Sequence, residues 1–193
     1  MVRDELERGN LIGARYVMTH LGTAKDLGEE AIPKTIEMLK KCLEEYRGKT
    51  KLLLENSAGT GEIIGDNLKE LGEIIKKVGS DAIAGICLDT QHSFASGYDW
   101  RDFKKTLQNI DQEIGLKNIK LIHANDSFSD FNSNRDRHAH IGEGKIGLEA
   151  FKNIVAFAQK NIIDIILETE HDKVGEDIEI LKGLRNKIWI KKD

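Results

Sequence analysis

A surplus of positive charge is missing from this sequence: 29 Lys and Arg stand against 33 Asp and Glu, a formal net charge of −4. That argues against a broad nonspecific nucleic-acid surface, although it leaves room for a local one, because a net count ignores clustering and bound cations. Cysteine is scarce as well. Cys42 and Cys87 form no CxxC pair, so a structural zinc finger or a disulfide framework is excluded and a reduced, cytoplasmic compartment is expected. Both read as small buried apolar residues. No apolar run approaches the roughly 20 residues that a membrane helix needs. The opening stretch MVRDELERGN carries acids and no apolar core, so neither a membrane partner nor a secretory signal is expected.

What is present is a soluble, globular composition, 39% hydrophobic and 32% charged over 193 residues, which predicts one domain spanning residues 1–193. Five apolar runs organise it: ARYVMTH, KLLLE, AGICLD, IKLIH and IIDIILE. Each closes on an acid or an imidazole, namely His20, Glu55, Asp89, His123 and Glu168, at intervals of 35, 34, 34 and 45 residues. Strand followed by amphipathic helix at that period is the signature of βα units in a parallel sheet. Ligand-type side chains at the same end of successive parallel strands converge on one rim, where α/β barrels hold their chemistry.

The intervening segments fit this frame. Residues 2–12 read as the tail of a helix ending at Gly13, so the chain is expected to enter partway through a βα unit. Ile32, Ile36, Leu39, Leu43 and Tyr46 step by three and four, which predicts one helical face, with Pro33 in the first turn where its missing N–H costs little. Leu68, Leu71, Ile75 and Val78 mark a second helix, and Phe103, Leu107, Ile110 and Ile114 a third. Leu148, Phe151, Ile154, Val155 and Ala158 mark another, and Ile178, Leu181 and Leu184 close the chain with a helical stripe. NSAGTGEIIG, with three glycines, reads either as a turn or as backbone amides set near an anion. The segment ANDSFSDFNSNRDRHAHIGEGKIG lengthens one connection by about ten residues, and long loops in compact domains often carry function. Arg135, Arg137 and Lys145 crowd it.

Taken singly, an acid at a strand end can cap the next helix, and a lone histidine is more often a hydrogen-bonded core residue. Convergence changes that reading. Four or five such groups at one rim would repel or desolvate one another unless cations lay between them. DTQH sets Asp89 and His92 three apart, close enough to serve neighbouring metals; DRH sets Asp136 and His138 two apart, on one side of an extended backbone. Imidazole with carboxylate and no thiolate suits zinc, manganese or iron. His140 alternates with His138 and is expected to face elsewhere or to support from behind, and His171 is expected at the surface. Two or three closely spaced ions favour phosphoester hydrolysis.

RYVMTHLGT, LLLENSAGTGEIIG, ICLDTQHSFASGYD, IHANDS, DRHAHIGEGKIG and IILETE together resemble the endonuclease IV family of zinc-dependent AP endonucleases, TIM-barrel enzymes that nick DNA at abasic sites. The resemblance implies up to three zinc ions, with manganese as the alternative. It implies that Glu55 bridges two of them; that Asp89, His123 and Glu168 complete one; that His92, Asp136 and His138 hold another; and that His20 binds the remaining one. Glu55, Asp89 and Glu168 would be the catalytic carboxylates. Abasic duplex DNA would be the partner, cleaved 5′ to the abasic sugar in base excision repair.

The resemblance covers the carboxyl-terminal part of such a barrel. Five strands are visible where eight are required, so an incomplete α/β barrel is expected, lacking its amino-terminal units, with impaired activity and with two open sheet edges that invite self-association. THLGT lacks the proline usual after that histidine, and ETEH replaces a Thr-Pro. Two rival readings follow. A xylose-isomerase-like sugar isomerase or epimerase would need only Glu55, Asp89, His123 and Glu168 around one ion, and a non-catalytic remnant would need no metal at all.

Overall fold

Five β-branched- and leucine-rich runs do form one parallel sheet, in the order of the chain. The computed structural model describes residues 2–190, in which β1 (Tyr16–Thr19), β2 (Lys51–Glu55), β3 (Ile83–Asp89), β4 (Ile119–His123) and β7 (Asp164–Ile166) lie side by side. The sheet curls into a half-barrel, an incomplete TIM barrel. Its convex side is covered by α1 (Val2–Ile12), α2 (Ala31–Leu43), α3 (Leu68–Val78), α5 (Phe103–Ile114), α6 (Leu148–Asn161) and α7 (Val174–Ile190). The main core lies between these layers, where Leu52, Leu54, Ile86, Leu88 and Ile122 of the strands meet Leu71, Ile74, Ile110, Phe151 and Ile154 of the helices.

Side chains alternate along a strand, so the neighbours of those residues face the concave side. There Leu53, Cys87 and Leu121 form a second, small cluster with Tyr16, Met18 and Ala84 packed against it. One step further along the same face stand Glu55, Asp89 and His123. Period 2 therefore carries each strand from a dry inner layer directly into the polar rim.

Register decides how these rim residues sit relative to one another. Asp89 is level with His123, but Glu55 is level with Cys87. The offset follows from irregularities between Leu52 and Leu53 in the β2–β3 pairing and between Ile86 and Cys87 in the β3–β4 pairing. Gly85 belongs to the first: its φ is +150°, and a Cβ there would overlap the carbonyl oxygen of Asn118, which excludes any other residue.

Three expectations need correction, and one polar segment is more ordered than its composition suggests. Tyr46 is not on α2, which ends at Leu43; the chain turns through Glu45 in a left-handed conformation, and the buried Tyr46 hydroxyl donates to Thr50 O at 2.9 Å. IIDIILE yields only the three residues Asp164–Ile166 as strand, because an edge strand has a partner on one side alone. The long connection after His123 is not wholly irregular: β5 (Asp126–Ser127) and β6 (His138–Ala139) form an antiparallel ribbon within it. Cys42 is only half-buried, whereas Cys87 is fully buried. Among the described residues no helix is long and apolar enough to cross a membrane.

Candidate metal centre

The rim brings together all eight residues singled out by the pattern. Glu55, Asp89, His123 and Glu168 each offer a ligand atom within 4.8 Å of one another, as do Asp89, His92 and His138, and as do His20, Glu55 and His92. Asp136 joins the second group, with carboxylate oxygens 3.3 Å from His92 Nε2 and 3.4 Å from His138 Nε2. The three groups share Glu55, Asp89 and His92, so they form one continuous cluster rather than separate sites.

Each residue is held by its element. Asp89 ends β3 and also caps α4 (Thr90–Ala95), accepting from His92 N at 2.7 Å. Capping and convergence thus coexist in one side chain. Its other oxygen accepts from Asn125 Nδ2 at 2.6 Å. The first turn of α4 swings His92 over the rim. His138 arrives on the β5–β6 ribbon, paired with Ser127, and Asp136 lies two residues ahead of it in the connection between the two strands. His20 lies just past the edge strand β1, with Nε2 3.6 Å from Glu55 Oε2 and Nδ1 3.3 Å from Ser57 Oγ.

Three imidazoles show what the cluster requires. The Nδ1–H of His92 faces the carbonyl of Asn56 at 3.0 Å, and the Nδ1–H of His138 faces the carbonyl of Glu168 at 3.2 Å. With both Nδ1 atoms engaged by acceptors, the two Nε2 atoms are left pointing at each other, 3.3 Å apart. In the neutral tautomers these are two converging lone pairs, the arrangement by which backbone carbonyls orient metal-binding histidines. The Nδ1–H of His123 donates to Glu55 Oε1 at 2.8 Å and Glu168 Oε2 at 3.0 Å.

Charge balance points the same way. Burial disfavours the charged form of His123, yet hydrogen bonds to Cys87, Glu168 and Glu55 outweigh it and hold the imidazole up at about 12. Burial likewise opposes the charge on His92, but Asp89, Asp136 and Glu55 push it up to about 9. Their partners move down: Glu168 through its bond to His123, and Asp136 through its bond to His92. Without a metal, the acids of the rim hold protons on imidazoles that a divalent cation would displace.

Other expectations resolve plainly. His140 faces away from the cluster, with Nδ1 2.8 Å from Asp177 Oδ2 and Nε2 3.1 Å from Asp172 Oδ1. His171 is exposed. The glycine-containing loop is a turn pinned to carboxylate and backbone, with Gly65 N donating to Glu70 Oε1 at 2.7 Å and Ser57 N to Gly65 O at 2.9 Å.

Sequence reasoning missed the residues behind the rim. Asn56 accepts from Asp89 N at 2.7 Å, and Asn125 accepts from Glu168 N at 2.9 Å while donating to Asp89. Asp177 accepts from Thr169 Oγ1 at 2.6 Å and Ile141 N at 2.8 Å. The signal was an asparagine within two positions of Glu55 and of His123. For Asp177, on a surface-type helix, no local signal existed.

The family model of xylose isomerase-like TIM barrels matches residues 1–192. A probable endonuclease 4 of Halothermothrix orenii is 40% identical over 189 residues, covering 95% of this chain and 68% of the relative. The chain belongs to the endonuclease IV family. A further member, a probable endonuclease 4 of Nitrosopumilus maritimus, is 43% identical over 186 residues, which are 93% of this chain and 65% of that protein. The chain therefore spans about two thirds of the length of the endonuclease IV relatives it matches. The crystal structure of endonuclease IV from Thermus thermophilus superposes with a TM-score of 0.79 at 30% identity, covering 99% of this chain and 67% of that one. A D-tagatose 3-epimerase-like protein superposes with a TM-score of 0.75 at 25% identity, over 99% and 69% of the two chains.

Proposed function

We propose that this protein is a zinc-dependent hydrolase that cleaves the phosphodiester 5′ to an abasic site in DNA, leaving a 3′-hydroxyl and a 5′-deoxyribose phosphate. The observation that carries the reading is the pair of His92 and His138 Nε2 atoms converging at 3.3 Å beside the complete group of Glu55, Asp89, His123 and Glu168. One ion would need only that group. The extra imidazoles and Asp136 supply donors for more.

On this reading Asp89, His123 and Glu168 would hold one zinc, His92, Asp136 and His138 another, and His20 a third, with Glu55 as a further ligand; manganese is the alternative metal. Divalent cations in such a cluster supply Lewis acidity toward the phosphate and a strong nucleophile near neutral pH. The protein's own groups do the rest. Glu168 is the solvent-reaching carboxylate of its group, 43% exposed, so of these acids it is the one that an incoming water can meet. Glu55 and Asp89, fully enclosed, fix the positions of the imidazoles. Asn56 and Asn125 fix Asp89 in turn.

Purified protein loaded with zinc should hold close to three equivalents and cut a duplex carrying one abasic analogue at the analogue's 5′ side. At most one bound metal with an intact duplex would remove the enzymatic claim. A second reading, sugar epimerisation around one ion, draws on the four-residue group and on the epimerase-like fold neighbour. Replacing Asp136 and His138 together by alanine separates the two: an epimerase keeps its ion, whereas the nuclease loses one ion and most of its turnover.

A further inference from the structure

The connection that delivers Asp136 and His138 also exposes two phenylalanines, and their surroundings differ. Phe131 is partly covered: its ring lies 5.6 Å from that of Phe94, and the guanidinium of Arg101 sits over both. Phe128 is 58% exposed and, among the described residues, has neither an aromatic nor a cationic partner. Its backbone is nonetheless fixed, because its N–H donates at 3.0 Å to the carbonyl of Arg137, the residue between Asp136 and His138. The ring is thus presented on the ribbon that carries the candidate ligand His138.

Phe128 is in the wall of a groove of about 960 Å³ that is also lined by Thr60, Ser133, Arg135, Asp136 and Arg137. Lys145 in the same groove is neutralised by Asp130. Arg135 and Arg137 are in no ion pair among the described residues. Guanidiniums without carboxylate partners, hydroxyls, and a bare aromatic ring together suit a polyanion whose backbone needs cations and whose bases have a π-face to stack. A purely apolar partner would leave both guanidiniums desolvated, at a cost.

We infer that Phe128 is a stacking platform for a nucleobase left unpaired at the lesion, with Arg135 and Arg137 following the phosphates of that strand. The inference rests on the reading of the centre as one that acts on nucleic acid. The binding it describes does not depend on turnover.

The test compares the full, zinc-loaded chain with its Phe128→Ala, Phe128→Leu and Phe128→Trp variants, using fluorescence anisotropy on single-stranded DNA and on an abasic-analogue duplex. Loss of a stacking surface should weaken binding about fivefold to a hundredfold in the Ala and Leu variants. The Trp variant should bind as the parent does, with its indole emission quenched by DNA. Zinc content and thermal melting serve as folding controls, since the ring is solvent-facing. Parental affinity in the Ala or Leu variant overturns the platform, even if the abasic duplex is still cut. Binding that depends on Phe128 without cleavage by any variant sinks the nuclease reading and keeps the platform. If the parent chain binds neither DNA, both fall.

Discussion

The rim of this half-barrel has two regions built on different terms. Glu55, Asp89 and His123 come from β2, β3 and β4, each with a hydrogen-bonded strand on both sides, and all three are buried. His20 and Glu168 follow the edge strands β1 and β7, and Asp136 lies in the connection that leads into β6; these are exposed, Asp136 at 55%. In the central region the sheet ladder fixes the backbone, and asparagines lock the carboxylates from behind. In the outer region position depends on side-chain clamps. Asp177 is the principal one, since it holds Thr169, next to Glu168, and also His140 and Ile141, just beyond His138. Precision at a strand end comes from neighbours on both sides, and where one neighbour is absent other groups must supply it.

The largest expected break of this contrast is Glu55→Gln. Because Glu55 belongs to two of the three ligand groups of the rim, with His20 and His92 and with Asp89, His123 and Glu168, this change should lower metal content by more than one equivalent. It should also reduce cleavage by more than the about 100-fold typical of a supporting residue, read by elemental analysis and by turnover on an abasic duplex. His20→Ala, at the exposed edge, should cost only one equivalent. Equal losses in the two variants would erase the distinction between centre and edge.

Stability should follow the same division. Ile86→Ala in β3 removes a fully buried side chain and should cost about 2–5 kcal/mol in denaturant unfolding. Ile166→Ala in β7, where the side chain is 45% exposed, should cost less than about 1 kcal/mol. Comparable values would mean that the edge is as well packed as the middle.

Asp177→Asn tests the clamp and should destabilise by about 1–3 kcal/mol through weakened buried hydrogen bonds. Burial alone would raise the Asp177 carboxyl, but bonds from Thr169, His140 and Ile141 N hold it below its ordinary value of 3.8. A carboxyl depressed on folding stabilises above its unfolded value, and that contribution is lost as pH falls through the folded value. The parent should therefore lose stability relative to the variant below about pH 4, and the gap between them should narrow in acid melts. A gap that stays constant with pH would remove Asp177's charge from the account. The smallest effect is expected from His171→Ala, which should change stability by no more than about 0.5 kcal/mol and leave metal content at the parental level.

Much of this architecture was legible in the chain. Apolar runs ending in His20, Glu55, Asp89 and His123 at a near-constant period announced parallel strands with their polar ends together, and DTQH and DRH announced a second set of donors. The helix stripes at Leu68, Leu71 and Val78 and at Phe151, Ile154 and Val155 were readable for the same reason: period and burial are one phenomenon in an amphipathic helix. Tyr46 misled because its spacing continued the stripe after the helix had turned away, and a spacing does not record where a chain bends. The ribbon of Asp126–Ser127 with His138–Ala139 was invisible because its pairing reaches across a polar stretch with no alternation.

Composition and spacing alone determined that ligand-type side chains would gather at one end of a parallel sheet, because side-chain alternation and strand direction follow from covalent geometry. Only the tertiary structure decided which of these donors come within reach of one another. The irregularities around Gly85 and Ile86 set Glu55 level with Cys87 instead of Asp89, and carbonyls remote in sequence turned the His92 and His138 Nε2 atoms toward each other. Register and long-range hydrogen bonds are properties of packed neighbours, and no single segment encodes them.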